Sequence, residues 1–333
     1  MTKALVSKQF VKAFGDQARA VAEKSGGSVT FITLPETQGA RLTEAERDSI
    51  DCAFVDRDIV FDEQLYAAFD DAVSNSNSLK WLHVQSSSAA QHPYAPRVDK
   101  KGGIVTSSTG SNAEPVAQTG FTGLLMLARG FPRFIQGQQK HEWRPMRGAE
   151  LPPDLRGQTV LLIGVGAIGK NIARYAKAFG LKTIGVRRSP ATPDDPVDEM
   201  YPPSKLNEVL PRADWIVIAC PLTKHTRDLV SAESFKHMKK GAHLINIARG
   251  EIVNEEALIE ALRSGQLAGA ALDAHVKEPL PADSPLWDLP NVIVSPHNAS
   301  ASTGNEARCA QMFIANMGLW LKGEPMLNLQ DLS

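Results

Sequence analysis

The chain has 333 residues, a length that favours two domains over a single core. Hydrophobic residues make up 43% and charged ones 22%, as in an ordinary globular protein, and a formal charge of -1 gives no field to hold nucleic acid or an anionic membrane. Cys52, Cys220 and Cys309 are three in number and far apart, with no CxxC pair and no zinc-ligand spacing. We expect reduced thiols, no metal and a cytoplasmic protein. The opening MTKALVSKQF lacks the apolar core of a signal peptide, and stretches such as GLLMLA are too short for a bilayer.

In chain order, short apolar runs come first: ALV, SVTFITL, CAFV, LKWLHV and GIVTSS. Helix-like stretches lie between several of them, one around Glu63 to Ala72, which predicts βα alternation and a parallel sheet. Ser111 or Asn112 is placed to cap a long apolar helix running to about Arg129. LPPDLRG reads as a stiff linker. The alternation then restarts, with strands expected at TVLLIG, KTIGV, DWIVIAC, AHLINIA, LAGAALDA and NVIVSPH and helices over 167–179, 204–210, 231–239 and 253–264. Six such strands predict a doubly wound nucleotide-binding sheet. A last amphipathic helix, from near Thr303 to near Lys322, is expected to return to the first domain.

Gly164, Gly166 and Gly169 stand in G-x-G-x-x-G spacing after an apolar strand and at the start of an amphipathic helix. That context turns a common pattern into a dinucleotide signature. Gly164 would permit the tight turn, Gly166 the approach of a pyrophosphate and Gly169 close packing of helix on strand. The N–H groups of Ala167 and Ile168 would face the anion. An acid usually ends the next strand, where it bonds the ribose 2′-hydroxyl of NAD. Here Arg187, 18 positions after Gly169, is followed by Arg188 and Ser189. Two guanidinium groups and a hydroxyl suit a 2′-phosphate, so NADP(H) is expected over NAD(H), which stays open.

Three further side chains fall at strand ends. Arg249, in LINIARGEIVNEEALIEAL, suits a carboxylate, although an ion pair steadying its loop is a serious rival on that segment alone. Glu278, in LDAHVKEPLP, and His297, in NVIVSPHNAS, each read blandly when taken singly. Together they follow successive strands, and folding is expected to gather them in a cleft between domains. Of the other histidines, His275 is the nearest competitor.

With these residues in place the chain resembles the D-isomer-specific 2-hydroxy acid dehydrogenases, most tightly from about Val160 to Ser300. The resemblance rests on GVGAIGK, CPLTKHTRDLV, MKKGAHLINIARGEIVNEEALIEAL, AGAALDAHVKEPLP and DSPLWDLPNVIVSPHNAS. It implies an α/β protein with a discontinuous flavodoxin-like substrate domain, 1–112 and 301–333, around a Rossmann-type NAD(P)-binding domain, 113–300. It places the family's catalytic arginine, glutamate and histidine on Arg249, Glu278 and His297, and adds Cys220, Pro221, Thr226, Ile247, Ala248, Asp273 and Ser300 to the cofactor's surroundings. It implies reversible reduction of a small 2-oxo acid to a D-2-hydroxy acid, and a homodimer. Glu278 speaks against formate oxidation, where the family uses glutamine, and QSSSAAQ lacks the lysine of phosphite oxidation. A long phosphoglycerate dehydrogenase would need a regulatory domain beyond the last helix.

Two departures stand out. VQSSSAAQ replaces the family's glycine-rich substrate loop, with Ser87 and Ser88 in place to bind the carboxylate, and Gln118 stands where glutamate is common. A rival reading, a nucleotide-sensing corepressor with little turnover, shares the fold and these residues.

Overall fold

The computed structural model describes residues 1–332; Ser333, the end of the expected substrate domain, lies outside them. The chain divides into two compact units, one formed by Met1–Asn112 with the stretch from Ser302 onward, the other by Ala113–Ala301.

The first unit holds strands β1 (Thr2–Val6), β2 (Val29–Thr33), β3 (Cys52–Val55), β4 (Trp81–Val84) and β5 (Ile104–Ser107). All pair in parallel in the order β2-β1-β3-β4-β5, the flavodoxin-like order. Strands β3 and β4 are buried along their whole length, as sheets covered on both faces require. Ser7 caps the helix Lys8–Lys24 by accepting from the Phe10 N–H at 2.9 Å. The final helix, Asn305–Lys322, packs beside that helix. Phe313 stacks on Phe54 and Trp81 at 4.9 and 5.0 Å between ring centroids. Gly318 makes the approach close, since a Cβ there would stand 3.1 Å from Val21.

The second unit carries β6 (Thr159–Ile163), β7 (Lys182–Val186), β8 (Glu199–Tyr201), β9 (Trp215–Ile218), β10 (Ala242–Asn246), β11 (Leu267–Leu272) and β12 (Val292–Val294). Their order, β12-β11-β10-β9-β6-β7-β8, is the Rossmann order with one further parallel strand at an edge. Apolar clusters cover both faces, one around Leu161, Ile216 and Leu244, the other around Leu162, Val217 and Ile245. Alternation along each strand sends neighbours to opposite faces.

The sequence reading counts six strands here, and β8 is the addition. Its three residues are half-buried at a sheet edge and follow the proline- and aspartate-rich SPATPDDPVD, so neither apolar alternation nor length marks them. The helix Phe131–Gln139 was also not anticipated. No helix among the described residues is long and apolar enough to cross a membrane.

Candidate active site

Every strand of the second unit runs the same way, so the carboxyl ends of β6, β7, β9, β10, β11 and β12 share one edge. That edge is where open α/β sheets bind ligands. At β6 the three glycines differ in what surrounds them. Gly164 has φ 101°, and a Cβ there would stand 2.6 Å from the Cys220 nitrogen. A Cβ at Gly169 would stand 2.1 Å from the Gly164 carbonyl oxygen, so only glycine lets this helix start so close to the strand. A Cβ at Gly166 would meet nothing within 4 Å. The backbone is therefore bare where an anion would approach. No side chain caps the helix Ala167–Ala178, which leaves the N–H groups of Ala167 and Ile168 for a ligand. A dinucleotide pyrophosphate fits this loop.

Past β9, Cys220 is half-buried, its thiol pushed up to about 11 by burial, so it is a poor nucleophile. Thr226 closes the following loop by donating to the Pro221 carbonyl at 2.7 Å and accepting from the Thr223 N–H at 2.7 Å. Past β10, Ile247 and Ala248 are buried and Arg249 is exposed. Buried Asn246 shapes this turn, donating to the Arg249 carbonyl at 2.9 Å and accepting from the Ala248 N–H at 3.1 Å. Arg249 has no acid partner among the described residues; the one hydrogen bond of its side chain there goes to the Ala248 carbonyl at 2.7 Å. The ion-pair alternative for Arg249 therefore finds no support.

The turn after β12 shows how the site is held. His297 has φ 51°, a costly conformation for a residue with a Cβ. Asp273, only 4% exposed, fixes it there. Its carboxylate accepts from the Ser295 hydroxyl at 2.7 Å and from the Asn298 and Ala299 N–H groups at 2.9 Å each. Asp273, expected around the cofactor, thus has a structural task at the end of β11. Ser300, just beyond, is half-buried.

His297 Nδ1 lies 2.7 Å from Glu278 Oε2, and the two side chains are 40% and 38% exposed. The other oxygen, Oε1, accepts from the His275 N–H at 2.9 Å, which orients the carboxylate. Burial opposes the charge on Glu278, but the His275 N–H and His297 outweigh it, so the carboxyl lies below its ordinary value. An anion is thus held against one ring nitrogen while the ring stays open to solvent. His275 itself is 5% exposed, with Nε2 3.1 Å from the Ser295 carbonyl oxygen. It is built into the loop and is no rival to His297.

The expected cation turn after β7 is not uniform. Arg187 is half-buried and bonded within the protein, whereas Arg188 and Ser189 are exposed. In the first unit the loop after β4 is tied down from several directions. Thr109 donates to the Ser87 carbonyl at 2.6 Å, Ser86 to the Ser88 carbonyl at 2.7 Å, and Gln330 accepts from the Ala89 N–H at 3.2 Å. The N–H groups of Ser87 and Ser88 have no partner among the described residues. Gln118 makes a 3.3 Å bond to Glu114, one helical turn back.

Sequence reasoning missed Asn246, Asp195 and Gln330 as supports. Only Asn246 had a signal: a polar residue inside an apolar strand ending at the ligand edge.

Residues 121–299 match the family model for the D-isomer specific 2-hydroxyacid dehydrogenase NAD binding domain. A glyoxylate reductase of Korarchaeum cryptofilum is 36% identical over 237 residues, 69% of this chain and 70% of that one. Among solved structures, a D-isomer specific 2-hydroxyacid dehydrogenase family protein of Aeromonas salmonicida superposes with TM-score 0.75 at 28% identity, covering 100% of this chain and 99% of that one. The NADPH-dependent glyoxylate/hydroxypyruvate reductase of Sinorhizobium meliloti, solved with NADP and sulfate, gives 0.70 at 26% identity, covering 99% and 98%. The chain belongs to the D-isomer-specific 2-hydroxy acid dehydrogenase family of oxidoreductases.

Proposed function

We propose that this protein reduces small 2-oxo acids of the glyoxylate, hydroxypyruvate or pyruvate type, reversibly, to D-2-hydroxy acids, with NADPH preferred over NADH. The observation that carries this reading is the 2.7 Å His297–Glu278 contact, on the same strand-end edge as the phosphate loop and Arg249. The nicotinamide, when bound, supplies the hydride taken up at C2 of the oxo acid. Arg249 binds the carboxylate and polarises the C2 carbonyl through charge-assisted hydrogen bonds. The N–H groups of Ser87 and Ser88, without a partner among the described residues, support a role for that loop in holding a substrate carboxylate. His297, as imidazolium, gives a proton to the new alcohol oxygen and in oxidation takes it back. Glu278 steadies the ring through its contact with Nδ1.

Preference for NADPH is supported by the exposed Arg188 and Ser189 and by the NADP found in the Sinorhizobium structure. A homodimer is supported by the resemblance and by the aromatic side chains of Phe131, Phe134 and Trp143, which are 47%, 41% and 96% exposed. We place the enzyme in the cytoplasm, in keeping with its three free cysteines. No specific observation favours the corepressor reading. Decay of NADPH absorbance with a panel of 2-oxo acids tests the proposal: turnover of at least one small oxo acid is expected, and none across the panel would overturn it.

A further inference from the structure

The turn after β7 contains two arginines that the sequence treats alike, and the structure separates them. A guanidinium has five N–H donors. In Arg187 all five are used inside the protein. Nε donates to the Ser189 carbonyl at 3.1 Å, and Nη1 donates to the Val165 carbonyl at 3.3 Å and to Asp195 at 2.8 Å. Nη2 donates to the Pro190 carbonyl and to Asp195 at 2.6 Å. Val165 sits between Gly164 and Gly166, so the phosphate loop itself is one anchor.

Asp195 is engaged just as fully. Besides the fork of Arg187 it accepts from the Thr192 N–H at 2.7 Å and pairs with Lys170 at 2.9 Å. The Arg187 and Asp195 side chains are 13% and 3% exposed. The Thr192 N–H, with Arg187 and Lys170, holds the Asp195 carboxyl well below the usual carboxylate range, so the pair stays charged at neutral pH. One fastening further along repeats the design. Asp198 pairs with Lys177 at 2.9 Å and accepts from the Thr183 N–H at 2.8 Å. Lys170 and Lys177, two turns apart on one helix, thereby strap the 187–198 segment along it. Arg188, by contrast, is exposed and has no hydrogen bond or ion pair among the described residues.

We propose that Arg187 and Asp195 are a positioning pair that staples this turn to the phosphate loop, and that discrimination of the 2′-phosphate falls to Arg188 and Ser189. A phosphate could take Arg187 only by displacing Asp195 from a bidentate bond and leaving that buried carboxylate with one cation in place of two. Arg188 offers its whole fork at no such cost. This rests on the NADPH reading above and assigns its parts.

The test measures dissociation constants of NADPH and NADH, by nicotinamide fluorescence, for the full chain and for Arg187→Ala, Asp195→Asn, their double variant and Arg188→Ala. The staple predicts that Arg187→Ala and Asp195→Asn each weaken both cofactors equally, by about 5- to 10-fold. The double variant should be no worse than either single one, because both break one contact. kcat at saturating cofactor should stay within about 2-fold of wild type, a split that general loss of structure would not give. Arg188→Ala should weaken NADPH alone, by roughly 10- to 100-fold. A loss confined to NADPH in Arg187→Ala overturns the proposal. So does tighter NADPH binding in Asp195→Asn, a near-isosteric change that keeps the question answerable if Arg187→Ala does not fold. If Arg188→Ala affects both cofactors alike while the staple variants behave as stated, the NADPH reading fails and the staple stands.

Discussion

Two stretches of one sheet edge use charge in opposite ways. After β7, Arg187, Asp195 and Lys170 satisfy one another, and the Asp195 side chain is 3% exposed. After β10, β11 and β12, Arg249 has no acid partner among the described residues, and Glu278 and His297 meet through a single contact with each side chain more than a third exposed. The first arrangement fixes backbone. The second leaves donors, an acceptor and an imidazole ring free for something that is not protein. Side chains with unspent hydrogen-bonding capacity are therefore the ones to associate with ligand chemistry, whichever residue types they are.

The sharpest way to break this contrast is at His297. His297→Ala should lower single-turnover oxo acid reduction by between about 100- and 10,000-fold while NADPH binding stays near wild type. A wild-type rate would move the proton donor elsewhere. Next in size is Arg249→Ala, expected to cost on the order of 10- to 100-fold in kcat/KM for the oxo acid. Arg249→Lys should recover only part of that, since lysine keeps the charge and loses the planar fork. Unchanged turnover in Arg249→Ala would return this residue to loop structure.

Glu278→Gln sharpens the comparison through charge. Glutamine keeps a hydrogen-bonding group beside the ring and removes the anion that would balance positive charge formed there during the reaction. Single-turnover oxo acid reduction should fall by about 10-fold while NADPH binding stays near wild type, a readout free of interference from product release. An unchanged rate would mean that Glu278 only orients the ring.

The smallest effect concerns an acid that no cation pairs among the described residues. Asp56, 5% exposed at the end of β3, is pushed up to about 6, mainly by burial, against the opposing hydrogen bonds from Ser7 and the Ile59 N–H. A raised carboxyl binds its proton more tightly when folded, so stability is greatest below the unfolded value and falls as pH rises toward about 6. Asp56→Asn removes that penalty and should raise the melting temperature at pH 8 by the equivalent of at most about 3 kcal/mol. The gain should vanish near pH 4, and a gain constant across pH would assign it to packing instead.

Much of this protein was legible in its residues. Short apolar runs, alternating with helix-like stretches, marked five strands of one sheet and six of the other, because strands buried on both faces read as continuous apolar segments. The placement of Arg249, Glu278 and His297 was legible because each follows a strand, and parallel strands put all such positions on one edge. β8 was not, since three half-buried edge residues carry no periodicity. Nor was the division of labour between Arg187 and Arg188, adjacent residues with the same side chain. It depends on Asp195, eight positions further along, and on a carbonyl of the phosphate loop, which only the folded chain brings to the first guanidinium and not to the second. Likewise the left-handed backbone at His297 is held by Asp273, 24 positions earlier in the chain. Sequence determines which groups stand at the ligand edge. Tertiary structure decides which of them the protein keeps for itself, because a hydrogen-bonding group already satisfied by its neighbours has nothing left to offer a ligand.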